Sequence, residues 1–460
     1  MIKRLIDRLR GRTPPTRPVL KLNVIARENH PISRRDISSA AVKTLYRLRD
    51  SGFDAFLVGG GVRDLLLGLH PKDFDVATDA TPEQVKQVFG GQCQIIGRRF
   101  RLAHVRFGRE IIEVATFRAH HSQAEGEGHG RTSDDGMILR DNVWGSIEED
   151  AERRDFTVNA LYYNIADFTL WDFAGGLADI EKRQLRLIGD PETRYREDPV
   201  RMLRAIRFAA KLDFSLEQAT GEPIRRLGDL LDDISSHRLY DESQKLLVSG
   251  HSGRVLELLQ EYDLFRHLFP QGIPDGTSAR LLALTADSTD QRIADDKSVN
   301  PAFFYAALLW GRLQEQYARL VDDGMPPVPA LQQAGQRVIS RQTTRTAITR
   351  FTAQTMRDIW EMQPRLENPR PRQVDALLVQ QRFRAAYDFL VLREASGEDT
   401  GGWGAWWTRY QDADPGLQAE LLRALEKSGS SDGGASSSNG TPSRKPRRRG
   451  PRKRKPAAAE

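Results

Sequence analysis

Leu57-Val58-Gly59-Gly60-Gly61-Val62-Arg63-Asp64, followed after a short gap by Asp73-Phe74-Asp75, decides how this chain is read. Ala55-Phe56-Leu57-Val58 reads as a short buried strand running into a glycine turn and a helix start. Phe74–Ala77 reads as a second strand. Residues i and i+2 of a strand share a face, so Asp73 and Asp75 are expected to project together. Two close carboxylates repel unless a cation lies between them. Oxygen donors suit Mg²⁺, and a pair of such ions can clamp an in-line displacement at phosphorus. A glycine turn between strand and helix lets backbone N–H groups approach phosphate oxygens, with Arg63 placed to neutralise charge. Either half alone is a common turn.

Outward from this stretch, Ala41, Val42, Leu45 and Leu48 have helical spacing. Thr81-Pro82-Glu83-Gln84 opens a helix, with Thr81 as cap and Pro82 first. Leu102–Phe107 and Ile111–Phe117 read as a hairpin across Gly108-Arg109. Leu161–Asn164 adds a strand-like piece, and His120 to Gly136 reads as a mobile loop. From Asp198 onward the pattern is helical, over Val200–Leu212, Arg254–Glu261, Pro301–Leu313 and Val374–Arg393. Ordered structure is expected to begin near Ile37, after prolines 14, 15, 18 and 31.

Two further clusters carry chemistry. Arg153-Arg154-Asp155-Phe156-Thr157-Val158-Asn159 sets cations, an acid and an amide beside an aromatic, which suits a nucleotide's phosphates and ribose; the plain alternative is a salt-bridged turn. In Arg194-Tyr195-Arg196-Glu197-Asp198-Pro199-Val200-Arg201, Asp198 reads as a helix cap. Asp198 and Arg201, at i and i+3, could offer an acceptor and donors to a base edge. Arg201, Arg204 and Arg207 recur every third residue; the alternative is a solvated basic face.

These motifs resemble those of the class II nucleotidyltransferases, the group of bacterial poly(A) polymerases and bacterial and eukaryotic CCA-adding enzymes. The resemblance covers residues 37 to 265 strongly and weakens toward Arg393. It implies an α+β fold, with a polymerase-β-like head followed by all-α neck, body and tail. It also implies transfer of a nucleoside monophosphate to an RNA 3′-OH with two Mg²⁺ ions. On that likeness Asp73 and Asp75 match the metal pair, and Gly59, Gly60 and Arg63 the phosphate-side turn. Arg154, Asp155 and Asn159 match the ribose motif. Glu197, Asp198 and Arg201 match the element that reads the incoming base, with Arg204 and Arg207 beside it at the nucleotide. Asp155 and Glu113 are both candidates for a third catalytic carboxylate. The spelling of Ile95–Val105 is that of the poly(A) branch, so ATP is the expected substrate, and Arg98, Arg99 and Arg101 within it are expected to contact RNA. CCA addition to tRNA is the alternative, followed by a silent RNA-binding adaptor and a DNA-binding protein.

Composition agrees. The 460 residues hold 69 basic and 63 acidic side chains, for a net charge of +6. Arg444 to Lys455 contains nine basic residues and no acid; without them the balance is 60 to 63, or −3. The Ser/Gly-rich run before it reads as a linker. Arg447, Arg448, Arg449, Arg452, Lys453, Arg454 and Lys455 are therefore expected to bind RNA. The single cysteine, Cys93, excludes an internal disulfide and a thiolate zinc cluster and reads as a small buried residue. No apolar run has membrane-spanning length, and the first ten residues lack a signal-peptide core. The expectation is a cytoplasmic monomer, with peripheral membrane contact through the first turn as a variant. It would work on RNA 3′ ends with RNA-degradation or RNA-chaperone proteins as partners. His120, His121 and His129 carry no metal-site spacing. Trp403, Trp406 and Trp407 suit either base stacking or helix packing. The expected units are a flexible leader (1–35), the head (36–165), a helical neck (166–265), a helical body and tail (266–427), and the linker with basic tail (428–460).

Overall fold

A computed structural model describes residues 20–97, 101–119, 130–132, 138–141 and 143–431. Ala55–Val58 (β2) is buried at all four positions. Ala55 and Leu57 point into one core, and Phe56 and Val58 into another with Ala77, Phe117, Ala151 and Tyr162. The period of two thus places β2 at the centre of a sheet covered on both faces.

Around it the described strands form an eight-stranded sheet in the order β1-β10-β9-β2-β3-β6-β5-β4. The members are β1 (Asn23–Ile25), β3 (Asp75–Thr78), β4 (Cys93–Ile96), β5 (Leu102–Phe107), β6 (Glu110–Thr116), β9 (Leu161–Asn164) and β10 (Leu170–Asp172). β7 (Gly130–Thr132) and β8 (Ile138–Asp141) pair separately. β3 runs antiparallel to β2 and parallel to β6, with Asp75 opposite both Val58 and Glu113. The β5–β6 hairpin turns at Gly108-Arg109 as the alternation predicts.

On one face lie α1 (Ser39–Asp50) and α3 (Pro82–Phe89). Ser38 caps α1, whose stripe of Ala41, Leu45 and Leu48 is fully buried. Thr81 and Gln84 close a capping box on α3. α2 (Gly60–Leu66) follows β2 directly, and α4 (Ile147–Arg153) places Ala151 in the other core. Beyond the sheet come α5 (Gly176–Glu181), α6 (Pro191–Glu197) and α7 (Val200–Leu212). Gly176 lets α5 meet the Phe156–Ala160 turn: a Cβ there would fall 2.2 Å from the carbonyl oxygen of Thr157. α7 has the predicted bounds, with Met202, Leu203 and Ile206 buried.

The rest is helical: α8 (Gln218–Leu227), α9 (Ser236–Leu247), α10 (Ser252–Glu261), α11 (Phe265–Leu268), α12 (Gly276–Ala294), α13 (Pro301–Leu308), α14 (Trp310–Asp322), α15 (Pro327–Thr343), α16 (Arg350–Leu366), α17 (Val374–Leu378), α18 (Phe383–Ala395), α19 (Trp403–Asp412) and α20 (Pro415–Ser431). One apolar core runs from the sheet into these helices, and a second gathers around Trp407. Trp407 is fully buried and donates its indole N–H to the Leu366 carbonyl, while Trp406 stacks on Tyr410 at 5.2 Å. The tryptophan cluster therefore packs a helix. Cys93 is buried, as expected. No described helix is long and apolar enough to cross a membrane.

Several boundaries differ from the sequence reading. The expected leader 1–35 overlaps the fold: β1 extends the sheet at β10, Ile25 and Ile32 are buried, and His30 Nε2 lies 3.0 Å from the Phe168 carbonyl oxygen. A break at 165 would divide the β9–β10 hairpin, whose turn holds Phe168 at φ 63°. The strand Gly130–Thr132 falls inside the expected loop. The predicted helices 301–313 and 374–393 are each interrupted, at Leu309 and at 379–382. β12 (Ser215–Leu216), parallel to β11 (Gln184–Leu185), is a small strand inside the half expected to be all helical.

Candidate active site

β2 ends and β3 begins beside the glycine turn, with Glu113 of β6 in register opposite Asp75. Gly59 has φ 70°, a backbone that L side chains rarely adopt. A Cβ there would lie 3.6 Å from Arg154 Nη1 and 3.8 Å from Asp75 Oδ2. The turn, the guanidinium and the carboxylate are thus in van der Waals reach of one point.

Asp75 opens β3, and Asp73 lies two residues before it, outside the strand. Their proximity comes from the approach to the strand, not from a shared strand face. The surrounding protein, the Glu113 charge and the Asp73 charge push the Asp75 carboxyl up to about 6, against the opposing pull of Arg154. Glu113 occupies the same register on the parallel neighbour, with His104 Nε2 at 3.5 Å. Glu113 and Asp73 thus add negative charge around the buried Asp75, opposed by Arg154.

Asp155, the other candidate third acid, has the opposite setting. Its carboxylate is 2.9 Å from Arg201 Nε, 2.9 Å from Arg204 Nη1 and 3.9 Å from Arg194 Nη2. Burial alone would raise its pKa, but Arg204, Arg201 and Arg194 hold it below the usual carboxylate range. Among the two candidates, Glu113 stands with Asp75 and Asp155 with arginines.

The expected nucleotide residues divide in the same way. Arg63 is not at the cleft. It is 2% exposed as a side chain and donates twice to Asp64 and once to Asn159 Oδ1 at 2.6 Å, below Phe208. Gly60 packs against it, a Cβ there falling 3.5 Å from Arg63 Nη2. Arg154 lies beside the Gly59 turn. Its Nε and Nη2 donate to Asp150 Oδ2, its Nε also meets the Tyr162 hydroxyl at 2.9 Å, and its Nη1 donates to the Asn159 carbonyl. Tyr162 in turn donates to Asp150 at 2.8 Å, closing a ring of three.

Arg201 is buried as well, with Nε on Asp155 and Nη1 on Glu197 and the Arg194 carbonyl. Asp198 precedes α7; its Oδ1 accepts from the Val200 N–H and its Oδ2 from Arg238 Nη2 at 2.7 Å. Arg207 lies over the Phe208 ring at 4.8 Å, its guanidinium pKa pulled down by burial. Arg101 pairs with Glu83. Arg98, Arg99, His120, His121, His129 and the basic tail from Arg444 to Lys455 lie outside the described residues.

Sequence reasoning missed Asp150, Tyr162, Arg194 and Arg238. Asp150 was findable, since it stands four residues before Arg154 on one helix face. Arg194 donates to the carbonyls of Arg153 and Arg154, tying α6 to the end of α4. One described triad has metal-ligand spacing: Asp229, Asp232 and His267, in the helical half. Arg345 Nη2 already supplies a cation to Asp232 there, at 2.8 Å.

Comparison with known proteins follows this geometry. Residues 55–186 match the family model "Poly A polymerase head domain". Residues 213–274 match "Probable RNA and SrmB- binding site of polymerase A", and 323–454 match "Polymerase A arginine-rich C-terminus". Poly(A) polymerase I of Salmonella typhimurium is 47% identical over 415 residues, covering 88% of this chain and 89% of the relative. Its counterpart in Escherichia coli O157:H7 is 46% identical over 449 residues, covering 95% and 93%. A CCA-adding enzyme of Bacillus licheniformis is 38% identical over 251 residues, covering 55% of this chain and 60% of that enzyme. Among solved structures, the Bacillus stearothermophilus CCA-adding enzyme in complex with CTP superposes with TM-score 0.56 at 25% identity, covering 85% of this chain and 93% of that one.

Proposed function

This chain belongs to the bacterial poly(A) polymerase family, and on that premise we propose how its residues divide the transfer of AMP from ATP to an RNA 3′-OH. The carrying observation is identity of 46–47% along most of the chain, helical half included, whereas the Bacillus licheniformis CCA-adding relative matches about half of it.

Asp73, Asp75 and Glu113 are the metal-side carboxylates. What supports the reading is that Glu113 occupies the register opposite Asp75 on the parallel strand, with Asp73 two residues before it. Two Mg²⁺ ions, when bound, would lower the pKa of the attacking hydroxyl and neutralise charge on the triphosphate. Gly59 keeps the wall beside Asp75 free of side chain, so that phosphates can approach the backbone. Arg154 offers a fixed positive charge at the same point, held by Asp150 and Tyr162 so that little reorganisation accompanies reaction. Asp155 holds Arg201 and Arg204 in place. Asp198, with Arg201 Nη2, meets the edge of the base, an acceptor and a donor in the pattern adenine needs. The basic tail adds salt-sensitive affinity for RNA of any sequence. A monomer in the cytoplasm, meeting RNA-degradation or RNA-chaperone proteins on shared transcripts, completes the reading; the single cysteine supports the compartment.

The test is extension of a generic RNA oligonucleotide with Mg²⁺ and each nucleoside triphosphate separately. A long ladder with ATP alone is expected. Addition of one or a few residues, dependent on CTP and a tRNA-like end, would move the chain to CCA addition.

A further inference from the structure

The three most exposed large apolar side chains among the described residues are Val379 (83%), Val328 (68%) and Phe351 (66%); the next, Leu69, stands at 51%. They come from three separate segments and converge on one place. Val328 lines a cavity of about 540 Å³, and Val379 adjoins Gln380, which also lines it. Phe351 lies under the guanidinium of Arg382, another lining residue, 5.7 Å from the ring centre. Singly exposed apolar residues carry no message, but three around one cavity mark a binding surface.

The chemistry of the walls narrows the occupant. Tyr317, Leu331 and Met362 give an aromatic and apolar bed. The amides of Gln332, Gln380 and Gln381 line the same space, as do Asp358 and Glu361, with Gln332 donating to Glu361 and Gln380 accepting from Arg365. Arg382 Nε is buried without a hydrogen-bond partner, its nearest ion-pair carboxylate being Asp358 at 3.7 Å. Arg350 to Arg384 holds seven arginines and four acids, a local +3 in a body that is otherwise slightly acidic. An aromatic and apolar bed with amide edges fits an unpaired nucleobase, and the surplus arginines of residues 350–384 around it fit the phosphate backbone.

We propose that this cavity, between α14, α15, α16 and the α17–α18 turn, is a second RNA site that receives an unpaired base upstream of the reacting 3′ end. It rests on RNA being the substrate, as concluded above. The helices around it contribute none of the cleft residues, so it acts on how RNA is held and not on the transfer step.

The test uses the full-length protein with Phe351→Ala and, separately, Val379→Ser, both exposed positions, with thermal midpoints as a check on folding. Extension is measured on a short (about 6-nucleotide) and a long (about 30-nucleotide) oligo(A) primer, lengths below and above a typical single-strand site. The KM for the long RNA is expected to rise about fivefold or more, the loss of one stacked base. The KM for ATP, the kcat and the short-primer KM should not move. In parallel, long RNA carrying 4-thiouridine is photo-crosslinked to the wild type and should label the segment from Phe351 to Arg382. An unchanged long-RNA KM in both variants, or crosslinks that avoid this segment, would overturn the proposal. Crosslinking needs no transfer, so a wild type that failed to extend RNA would remove the polymerase reading while leaving this site under test. A co-purifying protein displaced by the variants, with RNA parameters unmoved, would assign the surface to that protein instead.

Discussion

Asp75 and Asp155 are the same residue type, on neighbouring parts of one cleft, in opposite electrostatic settings. Asp75 is buried beside Glu113 and Asp73 with Arg154 as its counterweight, and burial first, then the Glu113 and Asp73 charges, raise its carboxyl to about 6. Asp155 is enclosed by Arg201, Arg204 and Arg194, and its carboxyl falls. The contrast separates two uses of an acid. One is left in need of positive charge from outside; the other is satisfied from within and fixes the arginines around it. Motif spelling alone puts both in the same category of catalytic acid.

The contrast is broken most severely by neutralising the first kind. Asp75→Asn, or Asp73→Asn, should lower kcat by at least about 10³-fold, since the charge that holds both cations is lost. Thermal midpoints should hold or rise, because a repulsion is relieved. Turnover near wild type in single-nucleotide addition would end the assignment.

Glu113→Gln and Asp155→Asn form the sharper pair. The first should cost activity, about 10²-fold, with the fold intact. The second should cost stability, about 3–5 kcal/mol by denaturant unfolding, because Arg201 and Arg204 would lose the buried carboxylate that both contact, leaving Arg201 only Glu197. Its pH dependence has a definite sign. A folded pKa held below the unfolded value gives stability that is present above the ordinary Asp range and lost as pH falls through the depressed folded pKa. The acid limb of wild-type unfolding should therefore shrink in Asp155→Asn. If the two variants exchanged phenotypes, the division between the carboxylates would be reversed.

Tyr162→Phe probes the counterweight. It removes a hydroxyl shared by Arg154 and Asp150 and should reduce kcat/KM for ATP about tenfold, the value of one hydrogen bond to a charged group. RNA affinity should not change.

The smallest effect is in metal-free buffer. Asp75 titrates higher in the folded chain than in the unfolded one, so its contribution is fully present below the unfolded pKa and is lost as pH rises through about 6. Thermal midpoints with a chelator should dip across that window, and Mg²⁺ should remove the dip. A dip that survives Mg²⁺ would place the cation elsewhere.

How far the sequence carried depended on the range of the interactions. β2, the β5–β6 turn and α7 were legible because strand alternation, a glycine turn and a helical stripe are local signals. β1 and β10 were not: each is three residues long, too short for a pattern to show, and β1 finds β10 from across about 145 positions. The glycine turn and the acid pair were readable as a site. The burial of Arg63 was not, because its partner Asn159 lies 96 residues on, and Arg201 reaches back 46 residues to Asp155. An arginine in a motif reads as available for ligand, and only tertiary contact tells whether a carboxylate has already taken it. The same holds for Asp73, whose nearness to Asp75 depends on how the chain enters β3 and not on the pleat.

The pairing of Asp75 with Glu113 on parallel strands bears on how this family can be re-engineered. Between them the chain passes through α3, β4 and β5, and the length of that excursion does not enter the pairing. Segments there can be lengthened, shortened or exchanged as long as β6 returns in phase. A slip of one residue along β6 would turn Glu113 to the far face and bring Ile112 or Val114 opposite Asp75. A slip of two would restore the face but move the carboxylate by about 7 Å, beyond the reach of a shared ion. The centre thus behaves as a combination lock with a single working position, set by hydrogen bonds between strands and indifferent to the loops that connect them.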